Sequence, residues 1–205
     1  MKTVVRSLVL WCVAAAGIVR AQAPPVDIEV FYVWSTSPGA AGPGHRLDYS
    51  GSGLGGGFNF RLDNFSANVA SWHSGAFLRL VDEGQGGFGA VDVVPLSVTV
   101  QWHPLGRKWF DPYVGVGGAV LFPSTSIFYA PGGEVLDVIV DTGVTLAAQA
   151  GFRIRVAGAI GLLLDVKYMP ASLDAKLLVA EPPGTNDVEL DADLVSVAAG
   201  LSLRF

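Results

Sequence analysis

Cysteine is all but missing. Cys12 is the only one in 205 residues, so nothing after it can form a disulfide or offer a thiolate to a metal. The three histidines, His45, His73 and His103, stand far apart and show no zinc-ligand spacing. Charged residues make up only 15% of the chain and the net charge is −5, which argues against a nucleic-acid partner, since that would call for a basic face. No stretch reaches 18 consecutive apolar residues, so no transmembrane helix is expected. "GSGLGGG" (residues 51–57) lacks the lysine and following helix of a phosphate loop and reads as a flexible loop feeding a strand. The carboxylates of "DEG" (82–84) and "NDVELDAD" (186–193) do not follow EF-hand spacing and read as solvated loop. No cofactor and no metal is expected.

Apolar residues, by contrast, make up 51% of the chain and glycines number 26. With a mean hydropathy of +0.46 the chain is too oily to be disordered, and its glycines favour turns and close-packed strands over long helices. The opening "MKTVVRSLVLWCVAAAGIVRAQA" runs from Lys2 and Arg6 through an apolar core, Leu8 to Val19, to Ala21-Gln22-Ala23. That is the order of a secretory signal peptide, and the core is too short for a retained membrane anchor. Residues 1–23 are therefore read as a cleaved signal and residues 24–205 as the mature domain. An exported chain without cysteine must take its stability from sheet closure and packing.

The mature part alternates with a period of two, the signature of strands with one oily face. In "DIEVFYVW" (27–34) Ile28, Val30, Tyr32 and Trp34 oppose Asp27, Glu29, Phe31 and Val33. In "LSVTVQWH" (96–103) Leu96, Val98, Val100 and Trp102 oppose Ser97, Thr99, Gln101 and His103. The closing "LVSVAAGLSLRF" sets Val197, Leu201, Leu203 and Phe205 against Ser202 and Arg204. Eight such stretches are present, each near the ~10 residues that cross a bilayer at a tilt. Their connections alternate between short (63–64, 104–108, 156–158) and long (35–53, 73–94, 122–141, 171–189). Outer-membrane barrels show that asymmetry, with short periplasmic turns and long external loops. The expected fold is all-β, an eight-stranded antiparallel transmembrane β-barrel.

Lipid admits only helices or closed barrels, and a membrane barrel turns its oily face outward. The other face here is small and sparsely charged, as suits a narrow lumen filled by side chains. Its expected lumen-lining residues are Glu29, Arg61, Gln101, Arg153, Arg155, Asp165, Lys167 and Arg204. Arg153, Arg155, Asp165 and Lys167 fall on consecutive strands and read as a salt-bridged plug with cross-strand pairs, in preference to a selectivity filter. Aromatics gather near strand ends in two groups, with Trp34, Trp102 and Tyr168 as membrane-interface residues and Trp72 also placed in the loop-side group.

"PLSVTVQWHPLGRKWFDPYVGVGGAVLF", "AAQAGFRIRV", "LLLDVKYMP" and the closing "AAGLSLRF" resemble, in order, the OmpW family of bacterial outer-membrane proteins. The resemblance implies a barrel in the bacterial outer membrane that admits small hydrophobic molecules and passes them toward the lipid through a gap in its wall, the lumen being blocked farther down. It also implies that Leu203 and Phe205 form the terminal signal read by the barrel-assembly machinery. The expected partners are thus outer-membrane lipids, that machinery and a small hydrophobic ligand.

Catalysis is not expected. His73 and Ser74 are adjacent, and neighbours on a strand point to opposite faces, away from the hydrogen bond a nucleophile needs from its base. The leading functional expectation is passive passage of small hydrophobic molecules across the outer membrane. The alternative is a non-transporting structural or surface-interaction barrel that uses its long loops for adhesion or recognition.

Overall fold

The computed structural model describes residues 25–36, 46–82, 85–106, 108–123, 126–129, 135–179, 184–191 and 193–205. The expected signal at 1–23 lies outside them. Among the described residues every regular element is a strand. In chain order these are β1 (Val26–Thr36), β2 (Arg46–Leu62), β3 (Phe65–Asp82), β4 (Gln85–Trp102), β5 (Phe110–Pro123), β6 (Ser126–Tyr129), β7 (Val135–Val140), β8 (Gly143–Ala157), β9 (Ile160–Met169), β10 (Ser172–Val179), β11 (Gly184–Asp191) and β12 (Leu194–Arg204).

Eight of them close a ring in the order β1–β2–β3–β4–β5–β8–β9–β12, every neighbouring pair antiparallel. The ring shuts between the first and last strands, where Ile28 pairs with Leu203 and Trp34 with Val197. The C-terminal residue is tied in as well, since Phe205 N–H donates to the Val26 carbonyl at 3.0 Å. Closure removes both edges of the ring, so its backbone donors can be paired strand to strand without water except where β3 and β4 lapse.

The faces fall as the alternation requires. Val30, Trp34, Val98, Val116, Val144, Leu146, Leu162 and Leu201 are exposed, while Asp27, Glu29, Asn59, Arg61, Asn68, Gln101, Asp165 and Lys167 are buried. Val144 is 82% exposed and Asp27 0%, a reversal that makes sense only if the outer solvent is lipid. Trp34, Trp102 and Tyr168 stand exposed at strand ends; Trp34 packs edge-on to Tyr32 at 4.6 Å, and Tyr168 OH donates to Asp193 at 2.9 Å. Trp72 corrects the expectation for the aromatic groups. It is buried inside the barrel, because it shares parity with Ser66 and Asn68 on β3.

The long connections differ from the reading as loops. Residues 51–57 belong to β2, and 73–94 are mostly the far ends of β3 and β4. Residues 122–141 contain β6 and β7, and 171–189 contain β10 and the start of β11. These four short strands continue the sheet from the far part of β4 in the order β4–β6–β7–β10–β11. Beyond the bilayer a strand needs no lipid-facing side, so hydrophobic periodicity has nothing to report there.

Strand approach is tightest on the inner side. A Cβ on Gly200 would run into the Val30 carbonyl oxygen and stand 2.5 Å from Phe31 Cα, whereas one on the outer-facing Gly118 would find its nearest atom at 3.6 Å. Gly200→Val is therefore expected to cost about 1–3 kcal/mol, and Gly118→Ala to stay within ~0.5 kcal/mol of the parent. Urea unfolding of the barrel refolded in lipid vesicles measures both.

Candidate functional site

The inward polar residues of the barrel strands concentrate toward the short-turn end and the inward apolar residues toward the far end, with Leu163 low on β9 and Ser35, Ser196 and Thr145 near the far ends as exceptions. On β1 the order is Asp27, Glu29, then Phe31 and Val33; on β3 it is Ser66, Asn68, then Ala70 and Trp72. On β4, His103, Gln101, Thr99 and Ser97 give way to Pro95 and Val93, and on β5, Asp111 and Tyr113 give way to Ala119 and Leu121. The lumen thus has a polar floor and an apolar upper wall.

The floor is a connected set of charge pairs. Arg61 bridges two carboxylates, with Nε 2.6 Å from Asp27 Oδ2 and Nη1 2.7 Å from Asp111 Oδ2. Arg204 Nε reaches the other Asp27 oxygen at 2.8 Å, and His103 Nδ1 lies 2.8 Å from Asp111 Oδ1. One layer up, Arg153 crosses the barrel from β8 to β1, where its Nη2 lies 2.5 Å from Glu29 Oε1; Asn68 Nδ2 donates to Glu29 Oε2 at 3.0 Å. Asn59 donates to Gln101 Oε1 at 2.6 Å, and Thr99 to Gln149 at 2.8 Å. Tyr113 OH donates to Asp165 at 2.7 Å, Lys167 pairs with the same carboxylate, and the Arg153 guanidinium lies over the Tyr113 ring at 4.4 Å. Asp27, Glu29, Asp111 and Asp165 are matched by Arg61, Arg153, Arg204 and Lys167, so this interior is formally neutral. Neutrality is what burial demands, since one uncompensated charge there costs several kcal/mol.

Seven of the eight residues expected in the lumen join this network. Arg155 does not. It keeps the parity of Arg153 and pairs in register with Gly161, but it lies one step nearer the short turn and is exposed at the lumen mouth, where it shares a pocket with Asp27, Asp111 and Arg153. The expected partners within one neighbourhood also differ. Arg153 pairs across the lumen with Glu29 rather than with β9, and Lys167 pairs with Asp165 two residues away on its own strand. Asp27, Asp111 and His103 complete the network; strand parity from Glu29, Tyr113 and Gln101 is the signal that places all three inward. His73 is exposed, with Nε2 3.8 Å from Asp92, and the side chain of Ser74 lies outside the described residues.

Above the floor, Phe31 and Trp72 close over Gly55, where a Cβ would stand 2.6 Å from Trp72 Cβ and would overlap the Phe31 ring. Higher up the inner wall is Val33, Ala70, Val93, Ala119, Leu121, Ala147, Met169 and Leu194, all buried. Beside this wall the β3–β4 ladder lapses. Ser71 pairs with Leu96 and Ser74 with Val93, but Trp72 and His73 have no ladder partner opposite Pro95 and Val94. The register is the same on both sides of the gap. Proline has no N–H to give, and within sheets it is otherwise confined to edges and bulges. On its other side Pro95 remains paired with Leu121 of β5.

Comparison with known proteins places this architecture. Among curated proteins no sequence matches the chain. Among solved structures, the outer membrane protein OprG of Pseudomonas aeruginosa is similar with a TM-score of 0.73 and 17% identity, over 89% of this chain and 96% of that one. The outer membrane protein W of E. coli is similar with a TM-score of 0.58 and 15% identity, over 89% and 98%. AlkL, an outer membrane protein solved in lipid bilayers, has a TM-score of 0.56 and 20% identity, over 90% of each chain. At these identities the likeness shows the fold, an outer-membrane β-barrel. The OmpW family model matches residues 78–205, more than half of the chain, and the protein therefore belongs to the OmpW family, with its place in the bacterial outer membrane.

Proposed function

We propose that the barrel lets small hydrophobic molecules pass the outer membrane passively, entering along the apolar upper wall and leaving sideways between β3 and β4 into the lipid. The observation that carries this reading is the coincidence of three features at one level: the end of the apolar wall, the packed polar floor and the lapsed ladder opposite Pro95. An apolar solute has no favourable way down through paired charges, because it would strip their partners and leave buried ions unmatched. The seam beside Pro95 lacks the backbone hydrogen bonds that hold the rest of the wall, so it is the weakest place in the ring. Nothing along this route asks for a catalytic step.

Closing the seam should close the route. The register shared by both sides of the gap sets His73 opposite Val94, and facing residues of an antiparallel pair come within disulfide reach when the strands draw together. In a His73→Cys/Val94→Cys variant, oxidation is expected to lower uptake of an apolar solute into liposomes several-fold, and reduction to restore it. Unchanged uptake in the oxidised barrel contradicts a lateral exit. A folded parent barrel with no uptake at all contradicts transport and leaves the surface-interaction reading.

The floor should also bar ions. The parent barrel is expected to show little single-channel current in planar bilayers, while a Glu29→Ala/Arg153→Ala variant, which removes both halves of a buried pair, gains conductance. Arg153→Ala alone strands Glu29 and should destabilise the barrel by about 3–5 kcal/mol, read as a lowered urea midpoint.

A further inference from the structure

At the short-turn mouth, which faces the periplasm, Asp27, Lys108, Asp111, Arg153, Arg155 and Arg204 line a pocket open to solvent. Its carboxylates are already committed: Asp27 to Arg61 and Arg204, and Asp111 to Arg61 and His103. Arg153 is held by Glu29. Lys108 and Arg155 are then left over, two exposed cations with no carboxylate in ion-pair range among the described residues. One further donor is stranded, because Arg153 is 4% exposed and its Nη1 makes no hydrogen bond. The backbone holds the two leftover cations beside each other. Arg155 N–H donates to the Trp109 carbonyl at 2.7 Å, and Lys108 N–H to the Gly106 carbonyl at 2.9 Å. Next to them Trp109 is 70% exposed and Leu105 is exposed as well, the amphipathic anchoring expected where the headgroups of the inner leaflet begin.

We propose that this mouth is a binding site for one phosphate-class oxyanion, either free or carried on a lipid headgroup. Two positive side chains in excess of the paired interior, together with a buried guanidinium N–H lacking a partner, form the charge-assisted donor set such an anion takes. The site stands apart from the lateral route and holds whether or not the barrel conducts apolar solutes.

Calorimetric titration of the full-length folded barrel in neutral detergent with inorganic phosphate, at constant ionic strength set by chloride, tests the free-anion form. One phosphate per barrel is expected, with affinity at least tenfold weaker in Lys108→Gln/Arg155→Gln and unchanged in Lys176→Gln, an exposed lysine outside this mouth. Nanodiscs of phosphatidylcholine with a minority of phosphatidylglycerol test the headgroup form. There the parent barrel is expected to enrich the anionic lipid and the double variant to lose that enrichment. Heat-modifiable electrophoretic mobility verifies that each variant is folded. Phosphate binding lost in the double variant supports a free anion, and lipid enrichment lost without any phosphate binding supports a headgroup. If neither probe distinguishes parent from double variant, or if Lys176→Gln reduces binding equally, the proposal is overturned.

Discussion

The Glu29–Arg153 pair is the interaction on which the rest depends, because it joins the first strand of the ring to β8 across the lumen with both partners buried. A charge buried in the packed lumen loses most of its hydration, so each carboxylate must meet a cation. The others obey the same demand: Asp27 between Arg61 and Arg204, Asp111 between Arg61 and His103, and Asp165 against Lys167. Since Asp27 and Arg204 sit on the two strands that close the ring, pairing the interior and closing the barrel are one event. The same pairing explains why the floor is dense.

Inner-wall polarity and ladder integrity then work together. Where the wall is polar the β3–β4 ladder is continuous, from Phe65 opposite Trp102 to Ser71 opposite Leu96. Where the wall turns apolar, at Trp72 and Pro95, two ladder partners are missing. A gap beside the charged floor would expose ion pairs to lipid, whereas a gap beside Phe31, Val33 and Leu121 exposes nothing that lipid dislikes. The lapse in the ladder is tolerable at the level where it occurs.

Much of this was legible in the residues, for a physical reason. A strand that separates lipid from a packed lumen must alternate strictly, and "DIEVFYVW", "LSVTVQWH" and "LVSVAAGLSLRF" each placed their inward residues correctly down to Arg204, whose Nε meets Asp27 at 2.8 Å. Legibility failed where that constraint ends. Arg155 keeps its parity, pairing with Gly161, but it sits at the exposed mouth, where burial no longer forces a charge to find a partner in the lumen. The outer halves of β2, β3 and β4 and all of β6, β7, β10 and β11 show no sustained period-two alternation of oily residues in the sequence, so these stretches read as loops. Trp72 shows parity outweighing residue type, since an aromatic near a strand end suggests an interface anchor while its parity with Asn68 turns it inward. Partner choice was out of reach as well, because period two says which way Arg153 points but not that Glu29, 124 residues away, waits across the lumen.

The central claim is that the lumen is divided into an apolar upper part that receives hydrophobic solutes and a charge-paired floor that excludes them. Intermolecular nuclear Overhauser effects between a perdeuterated barrel with protonated side chains at chosen positions and a short protonated alkane, in deuterated-lipid nanodiscs, measure this division directly. The account predicts contacts from the alkane to the inward Val33, Leu121 and Ala147 and none to Asn59, Asn68 or Gln149. Contacts reaching the floor residues, or an alkane found only on outward side chains such as Val116 and Leu146, would contradict it.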